Sequence, residues 1–434
     1  MKLTVSHRLY ALGAIQLVAL TICSRRFTGN GEAFAMIPLL VAGVAYLLAI
    51  RELFCARKVP RHVIVVGLVL AGLWQVAFLA IPTGSDDDVR RYVWDGRIQR
   101  MGYNPYVVVP ADPAVAALHT SETRSLNNGD LPTPYPPGAL LFSRFITAIH
   151  ESTFAMRVAF FICNVAIVLV LIDMLRCTGH GAHWILAYAW HPLLATEVAG
   201  SGHIDIVGVL LLVVSFAALT HRWRAIAAVA FALAVAVKFL PVVLLPLYWR
   251  RVRVRDVLLG IFVFAVLYIP FLEHGRIPTG SLRTYVHSFR FNDPLFSVLE
   301  RAAAPEVIAG LAVVIGMATA LWMRRKFAQR SADAFAWPMA APLLFAPVVY
   351  PWYLLWLLPF TRSVATLPII IWTVSIIPTY IMWHLRALGH PWGLPWWVTF
   401  VEYGSVAVSA AITLLWRNSR ALYLGRALRS GPGS

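Results

Sequence analysis

The feature that most restricts this chain is a succession of long apolar runs. They fall at roughly residues 9–24, 34–50, 62–82, 155–175, 183–200, 204–220, 225–249, 257–272, 306–323, 334–349, 353–360, 364–383 and 397–416. A helix crosses a bilayer with about 20 mostly apolar residues. It satisfies its backbone polar groups within the segment, as hydrocarbon demands. The pattern predicts an all-α fold: a polytopic transmembrane helical bundle of about 11–14 membrane segments, some short or re-entrant. Only 13% of the 434 residues are charged, against 59% hydrophobic. Soluble domains carry about 25% charged residues, so a soluble globular class is excluded; a disordered class fails on the apolar and aromatic content.

Charge then sets the orientation. The 37 Lys+Arg residues outnumber the 20 Asp+Glu residues, a net charge of +17. In a multi-span chain such an excess collects in short cytoplasmic loops. Lys2, Arg8, the clusters at 51–61, 250–255 and 324–330, Arg176, Arg222, Arg224, Arg362 and the 417–429 tail are accordingly placed inside. Both termini then lie in the cytoplasm of a cytoplasmic (inner) membrane protein. No basic, aromatic-interleaved soluble stretch points to nucleic acid. The organisation expected is transmembrane helices over 1–82, a first outer loop over 83–154, central transmembrane helices over 155–272, a second outer loop over 273–304, further transmembrane helices over 305–420 and a cytoplasmic tail over 421–434. Cys23, Cys55, Cys163 and Cys177 show neither a disulfide framework nor metal-ligand spacing. The first run is followed by Arg25-Arg26 rather than a small-residue cleavage site and reads as a retained helix. Ser430–Ser434 reads as flexible linker.

Two runs break the simple pattern. Residues 225–249 carry basic flanks at both ends, which one full span cannot keep on one side. A broken hairpin turning near Lys238 and Pro241 satisfies both flanks, and it places Lys238 in a sheltered cavity. Residues 353–360 are too short to span and follow Pro351, which suggests a second broken helix.

Chemistry concentrates in the first outer loop. Asp86, Asp87 and Asp88 follow the third run directly, with Arg90 and Arg91 beside them. A carboxylate held there suits a general base or a cation ligand; the plainer reading is a solvated acidic cluster. Arg91, Tyr92, Trp94, Asp95, Arg97, Asn104 and Tyr106 follow within one short segment, a density that favours function. A helix over Tyr92–Met101 puts Arg97 and Arg100 on one face and is able to rest on the bilayer surface. Pro132–Gly138 is a stiff turn before an amphipathic stretch, Ala139–Ile149, and Tyr135 either lines the site or packs.

Ionisable groups inside the apolar runs are expensive and point to function. They are Glu197, His203, Asp205 and Lys238, with Gly200, Gly202 and Gly208 allowing close approach around the first three. A cation at a buried turn needs an anionic partner. The second outer loop brings Tyr285, His287, Arg290, Asn292 and Asp293 towards the same face. Trp356 reads as an aromatic-belt residue, and the stretch WHLRALGHPWGLPWW as an interfacial anchor loop.

The ordered set SDDDVRRYVWDGRIQRMGYNPY, TPYPPGALLF, AGSGHIDIVGVLLL, AVKFLPVVLLPL and YPWYLLWLLP, running from about Ser85 to Phe360, resembles the GT-C superfamily of integral-membrane glycosyltransferases. It is most similar to the bacterial polyprenyl-phosphate-mannose-dependent mannosyltransferases. That resemblance implies a GT-C bundle with interfacial helices in its outer loops. It also implies a hexose, by family weight mannose, moved with inversion from a polyprenyl-phosphate donor to a glycan or lipid acceptor, in a site facing the periplasm or cell exterior. The base role falls on Asp88, with Asp87 its neighbour. Lys238, Arg91 and Arg290 become candidate ligands of the donor phosphate, with Arg283 a further one. His203, Asp205, Tyr92, Asp95, Tyr135, Asn292, Trp352 and Tyr353 are the remaining candidates for holding substrate. No cofactor is expected and metal-independent chemistry is favoured, since Lys and Arg already supply positive charge; an Asp cluster holding Mg²⁺ or Mn²⁺ is the variant of this reading. A transporter or flippase of lipid-linked sugars is the alternative class, because broken helices and intramembrane charge suit it too.

Overall fold

The computed structural model describes residues 4–26, 32–83, 88–326 and 331–429; Asp86, Asp87 and the Ser430–Ser434 tail lie outside the described residues. In chain order the helices are α1 (Val5–Arg26), α2 (Glu32–Cys55), α3 (Arg61–Leu79), α4 (Asp88–Arg100), α5 (Pro137–Ile149), α6 (Thr153–Cys177), α7 (Ile185–Ala189), α8 (Asp205–Thr220) and α9 (Arg224–Val237). There follow α10 (Leu245–Tyr248), α11 (Val254–Tyr268), α12 (Leu282–Ser288), α13 (Pro294–Leu299), α14 (Pro305–Lys326), α15 (Asp333–Leu343), α16 (Leu367–Ser375), α17 (Ile381–Ala387) and α18 (Trp396–Arg429). The expected all-α polytopic bundle is what forms. Among the described residues, 8 helices are long and apolar enough to cross a membrane, or 9 if a bent pair counts as one span. Their outer faces stay apolar: Val18, Val69, Leu169, Leu258 and Val314 are all exposed, as a lipid-facing surface requires.

The remaining apolar runs are broken rather than straight. Residues 183–200 divide into α7 and a π-helical turn, Leu194–Gly200, which meets α8 at 115°. Gly202 makes the corner at φ +80°, and a Cβ there would sit 2.7 Å from Cγ of Arg157. Only glycine suits both the left-handed backbone and the contact. Arg157, buried on α6, donates through Nη1 to the carbonyls of Gly200 (3.2 Å), Ala199 and Phe78, so the corner is tied to α3 and α6 together. The run after Tyr350 forms 3₁₀ turns at Pro351–Trp356 and Leu358–Phe360, because each proline removes a helical donor.

Over 225–249 the chain runs up α9, turns through extended Lys238, and returns by a 3₁₀ turn at Leu240–Leu244 and α10, with Pro241 near the start of that return. The two ends of this hairpin come together: residues 222–226 and 253–256 line one shallow hollow.

One expectation is corrected. The helix after the acidic cluster does not rest on a bilayer surface. Val89, Tyr92, Val93, Trp94, Asp95 and Ile98 of α4 are buried against α5 and α6. Gly96 lets the helices touch, since a Cβ there would lie 2.5 Å from the Ser143 carbonyl oxygen on α5. Arg97 and Arg100 do share a face, but both guanidinium groups grip Glu151, at 2.5 and 2.9 Å, just ahead of α6. This places Asp88, the first residue of α4, at the mouth of a protein-walled chamber.

Candidate active site

A cavity of about 440 Å³ opens between α4, the Leu131–Pro136 turn, the α8 start, the Lys238 turn, α12, the 350s turn and α17. Its lining includes Asp88, Arg91, Tyr92, Tyr135, Asp205 and Lys238, and also Tyr285, Arg290, Tyr350, Trp352, Tyr353, Trp383, Arg386 and Trp392. Four cations therefore share the lining with two carboxylates and ten aromatic rings.

The Asp88 carboxylate accepts a hydrogen bond from the Tyr135 hydroxyl at 3.1 Å. The proline-rich turn fixes Tyr135, and its ring meets Tyr92 edge-on at 5.1 Å between centroids. Burial, then the nearby Asp88 charge, push the Tyr135 phenol well above its ordinary value, so it stays a neutral donor. Behind Asp88 lies His203, fully buried. Its Nδ1 is 3.8 Å from Asp88 Oδ2 and its Nε2 is 3.0 Å from Glu197 Oε2. Tyr380 donates to Glu197 from the far side. Trp352, a lining residue, stacks on the His203 ring at 3.9 Å and 10° and on the Tyr350 ring at 4.3 Å and 11°.

On the facing wall, Lys238 Nζ donates to Asp205 Oδ1 at 2.7 Å and sits 3.7 Å over the Tyr353 ring. The partner that the half-buried lysine finds is thus a protein carboxylate. Trp356 Nε1 donates to the same Asp205 oxygen at 2.7 Å. This corrects the aromatic-belt reading of Trp356, which is fully buried and orients Asp205. Arg91 donates through Nε to Asp95 (3.0 Å) and through Nη1 to the Leu131 carbonyl (3.1 Å); its Nη2 makes no hydrogen bond among the described residues.

Several candidates stand elsewhere. Asp95 does not line the cavity: fully buried, it accepts from Arg91 and from Thr133 Oγ1 (2.7 Å) and so aims Arg91. Burial raises its carboxyl above the ordinary value, with Arg91 and Thr133 working against the shift. Asn292 is turned away, its amide donating to both oxygens of Glu402 on α18 at 3.0 Å; at φ +53° it fits the left-handed corner there. Arg290 reaches the cavity wall, but its guanidinium is fully engaged with Glu300 (2.9 and 2.7 Å) and the carbonyls of Val286, His287 and Phe289. Arg283 and His287 point to Glu306 instead. Asp293 holds Ser297, and its carboxyl is raised chiefly by burial.

Conversely, the stretch read as an anchor loop contributes a wall: Trp383, Arg386 and Trp392 line the cavity, with Arg386 over the Trp392 ring at 5.3 Å. An arginine amid that aromatic run was the available signal. Asn127 and Asn128 also line it, and nothing local in the sequence marked them. Away from the cavity, Asp173, Cys177 and His221 bring three metal-capable donors within 4.8 Å of one another. The i, i+4 pair on α6 was legible; the histidine at the end of α8 was not.

A family model described as alpha-(1->6)-mannopyranosyltransferase, N-terminal domain, matches residues 8–252. Alpha-(1->6)-mannopyranosyltransferase A of Mycobacterium tuberculosis is 24% identical over 353 residues, 70% of this chain and 66% of the relative. The match thus spans slightly less than two thirds of that relative's own length.

Proposed function

The chain belongs to the alpha-(1->6)-mannopyranosyltransferase family, and on that footing we propose that it is an inverting membrane mannosyltransferase. It moves a mannosyl unit from a polyprenyl-phosphate donor to a hydroxyl of a glycan acceptor. A single displacement that yields an alpha bond requires a beta-configured donor. The acceptor oxygen attacks the anomeric carbon, and its proton passes to Asp88. The bond from that carbon to the phosphate oxygen breaks, and the electron pair leaves on the phosphate.

The observation that carries this reading is the placement of Asp88 and Lys238 on one cavity rich in aromatic side chains. Asp88, its side chain 31% exposed, is open to an acceptor hydroxyl. Lys238 and Arg386, with Arg91 also in the lining, offer positive charge where the leaving phosphate gains negative charge. General-base assistance gives about 10²–10⁴-fold, and positioning supplies the larger remainder. Asp205 stays paired with Lys238 and holds the ammonium in place. The site faces the outer side of the membrane, a reading supported by the basic residues Arg222 and Arg224, which lie at the other ends of the two helices that adjoin Asp205 and Lys238, with Arg253 and Arg255 beside them in one hollow.

The test is transfer by purified protein from polyprenyl-phosphate-[¹⁴C]mannose to a mannoside acceptor, with Asp88→Asn alongside. The variant is expected to bind donor and to lose at least about 100-fold in turnover. Near-normal turnover by Asp88→Asn would remove the base assignment. Equal transfer from a nucleotide-linked mannose would remove the lipid donor.

A further inference from the structure

At the end of the bundle opposite the cavity, the α8–α9 turn and the start of α11 enclose a hollow lined by Arg222, Trp223, Arg224, Ile226, Arg253, Arg255 and Asp256. The run of α8 sets it about 24 Å from Asp205, at 1.5 Å per residue over 16 residues. The four arginines are exposed. Asp256, the one carboxylate in the lining, is buried and already engaged: it accepts from the Arg253 backbone N–H at 2.9 Å and lies 3.7 Å from the Arg255 guanidinium. Three positive charges are left over in one hollow.

The surroundings of this charge are apolar. Trp223 and Ile226 on one side, and Val254, Val257 and Leu258 on the other, are exposed on lipid-facing helices. The Trp223 ring is steadied by stacking on His221 at 4.8 Å. Arg222 stands at φ +63°, a backbone conformation an L residue adopts at a cost, and it brings its side chain round the turn beside Arg224. A soluble anion would satisfy the guanidinium groups and leave these apolar faces without a partner. A molecule with a phosphate head and hydrocarbon tails would satisfy both.

We propose that this hollow is a binding site for the phosphate headgroup of an anionic phospholipid in the leaflet opposite the cavity. Its acyl chains lie along the exposed face of α11, past Trp223 and Ile226 at the start of α9. Arg224 and Arg253, one from each helix start, take the phosphate between them, and bidentate guanidinium contact suits its oxygens. The lipid thereby ties α9, whose far end carries Lys238, to α11.

The experiment uses the full chain in nanodiscs of phosphatidylcholine alone, or of phosphatidylcholine and phosphatidylglycerol in equal parts. Phosphatidylglycerol retained after transfer to detergent is counted by native mass spectrometry. Arg224→Gln/Arg253→Gln is compared with Arg325→Gln/Lys326→Gln, which removes two exposed charges from the end of α14. One bound phosphatidylglycerol is expected on the wild type and on the α14 variant. About fivefold weaker binding per arginine predicts retention roughly 25-fold weaker in the hollow variant. Equal loss in both variants would mean that basic residues merely attract the leaflet in general, and overturns the site. Displacement by inorganic phosphate overturns the lipid assignment in favour of a free anion, and absence of a retained lipid on the wild type overturns both. Thermal unfolding of each variant in phosphatidylcholine shows whether it is folded. Should the Gln variant be unfolded, Arg224→Lys/Arg253→Lys keeps the charge, removes the fork and is expected to bind less tightly than wild type; unchanged binding would sink the bidentate contact.

Discussion

Nδ1 of His203 stands 3.8 Å from the Asp88 carboxylate while Nε2 of the same ring stands 3.0 Å from Glu197. The ring is clamped by Trp352 on its face, so its two nitrogens have fixed addressees. His203 lines no part of the cavity; under the proposed mechanism it acts through Asp88 and is a positioning residue. His203→Ala should lower kcat by up to about 100-fold, the scale set by misplacing a reacting group by an ångström. KM for the donor should move little. His203→Asn, whose amide can occupy the Nδ1 position, should recover part of the loss. Steady-state kinetics on folded variants decide it, and wild-type kcat in His203→Ala would take the ring out of the machinery.

The Lys238–Asp205 pair makes a different prediction, about stability. Asp205 is almost wholly buried, and Lys238 is 24% exposed along its side chain. Lys238→Met leaves the carboxylate with the Trp356 indole as its remaining hydrogen-bond donor. Removing one partner of a buried pair costs about 3–5 kcal/mol, and the low end applies here because the lysine is partly solvated. Lys238→Met/Asp205→Asn removes both charges and should be less destabilised than the sum of the single variants, by about 0.5–3 kcal/mol. Unfolding curves in one detergent measure the cycle; simple additivity would show that the pair is not coupled.

The sequence was most legible where apolar surroundings made a charge conspicuous. Lys238 and Asp205 stand out inside apolar runs, Asp88 and Arg91 inside a dense loop, and all four line one cavity. What stayed hidden depends on contacts across long stretches of chain. Trp356 looks the same in sequence whether it meets headgroups or turns inward; only the fold brings it to Asp205, 151 positions away. Asn292 lies in a polar loop that reads in sequence as aimed at substrate, yet Glu402 on α18 draws it off. Trp392 donates to the Arg290 carbonyl at 3.1 Å, and that contact folds an apparent anchor loop into a cavity wall. The burial of α4 was missed because its polar sequence resembles a surface helix; its charges are answered by Glu151, Asp95 and the Leu131 carbonyl rather than by water.

Tyr135 yields a pH prediction. Burial and the charge of Asp88 hold its phenol well above the ordinary tyrosine value, so its proton is present throughout the working range. That proton is donated to the Asp88 carboxylate and favours the ionised form. Tyr135→Phe removes the donor. A base must be ionised to act, so the acid limb of kcat/KM should move to higher pH while the alkaline side stays where it was. A profile identical to wild type would show that the hydroxyl does not tune the carboxylate.

Gly208 tests the support beneath the phosphate side of the cavity. It lies one turn along α8 from Asp205, and a Cβ there would sit 2.2 Å from the Trp356 ring. The indole has no room to retreat, because it is fully buried. Gly208→Ala must therefore displace Trp356 and weaken its bond to Asp205, which frees Asp205 to draw Lys238 out of place. Overpacking of this kind costs about 1–3 kcal/mol. Transfer should fall by more than lost folding explains, and donor KM should rise, since the proposed mechanism puts the donor phosphate on Lys238. Gly310→Ala on α14 is the control: a Cβ there meets nothing within 4 Å, so alanine should be neutral or stabilising by up to about 1 kcal/mol. Parallel melting and kinetic measurements on the two variants separate the effects, and an unchanged donor KM in Gly208→Ala would break the link from Trp356 through Asp205 to Lys238.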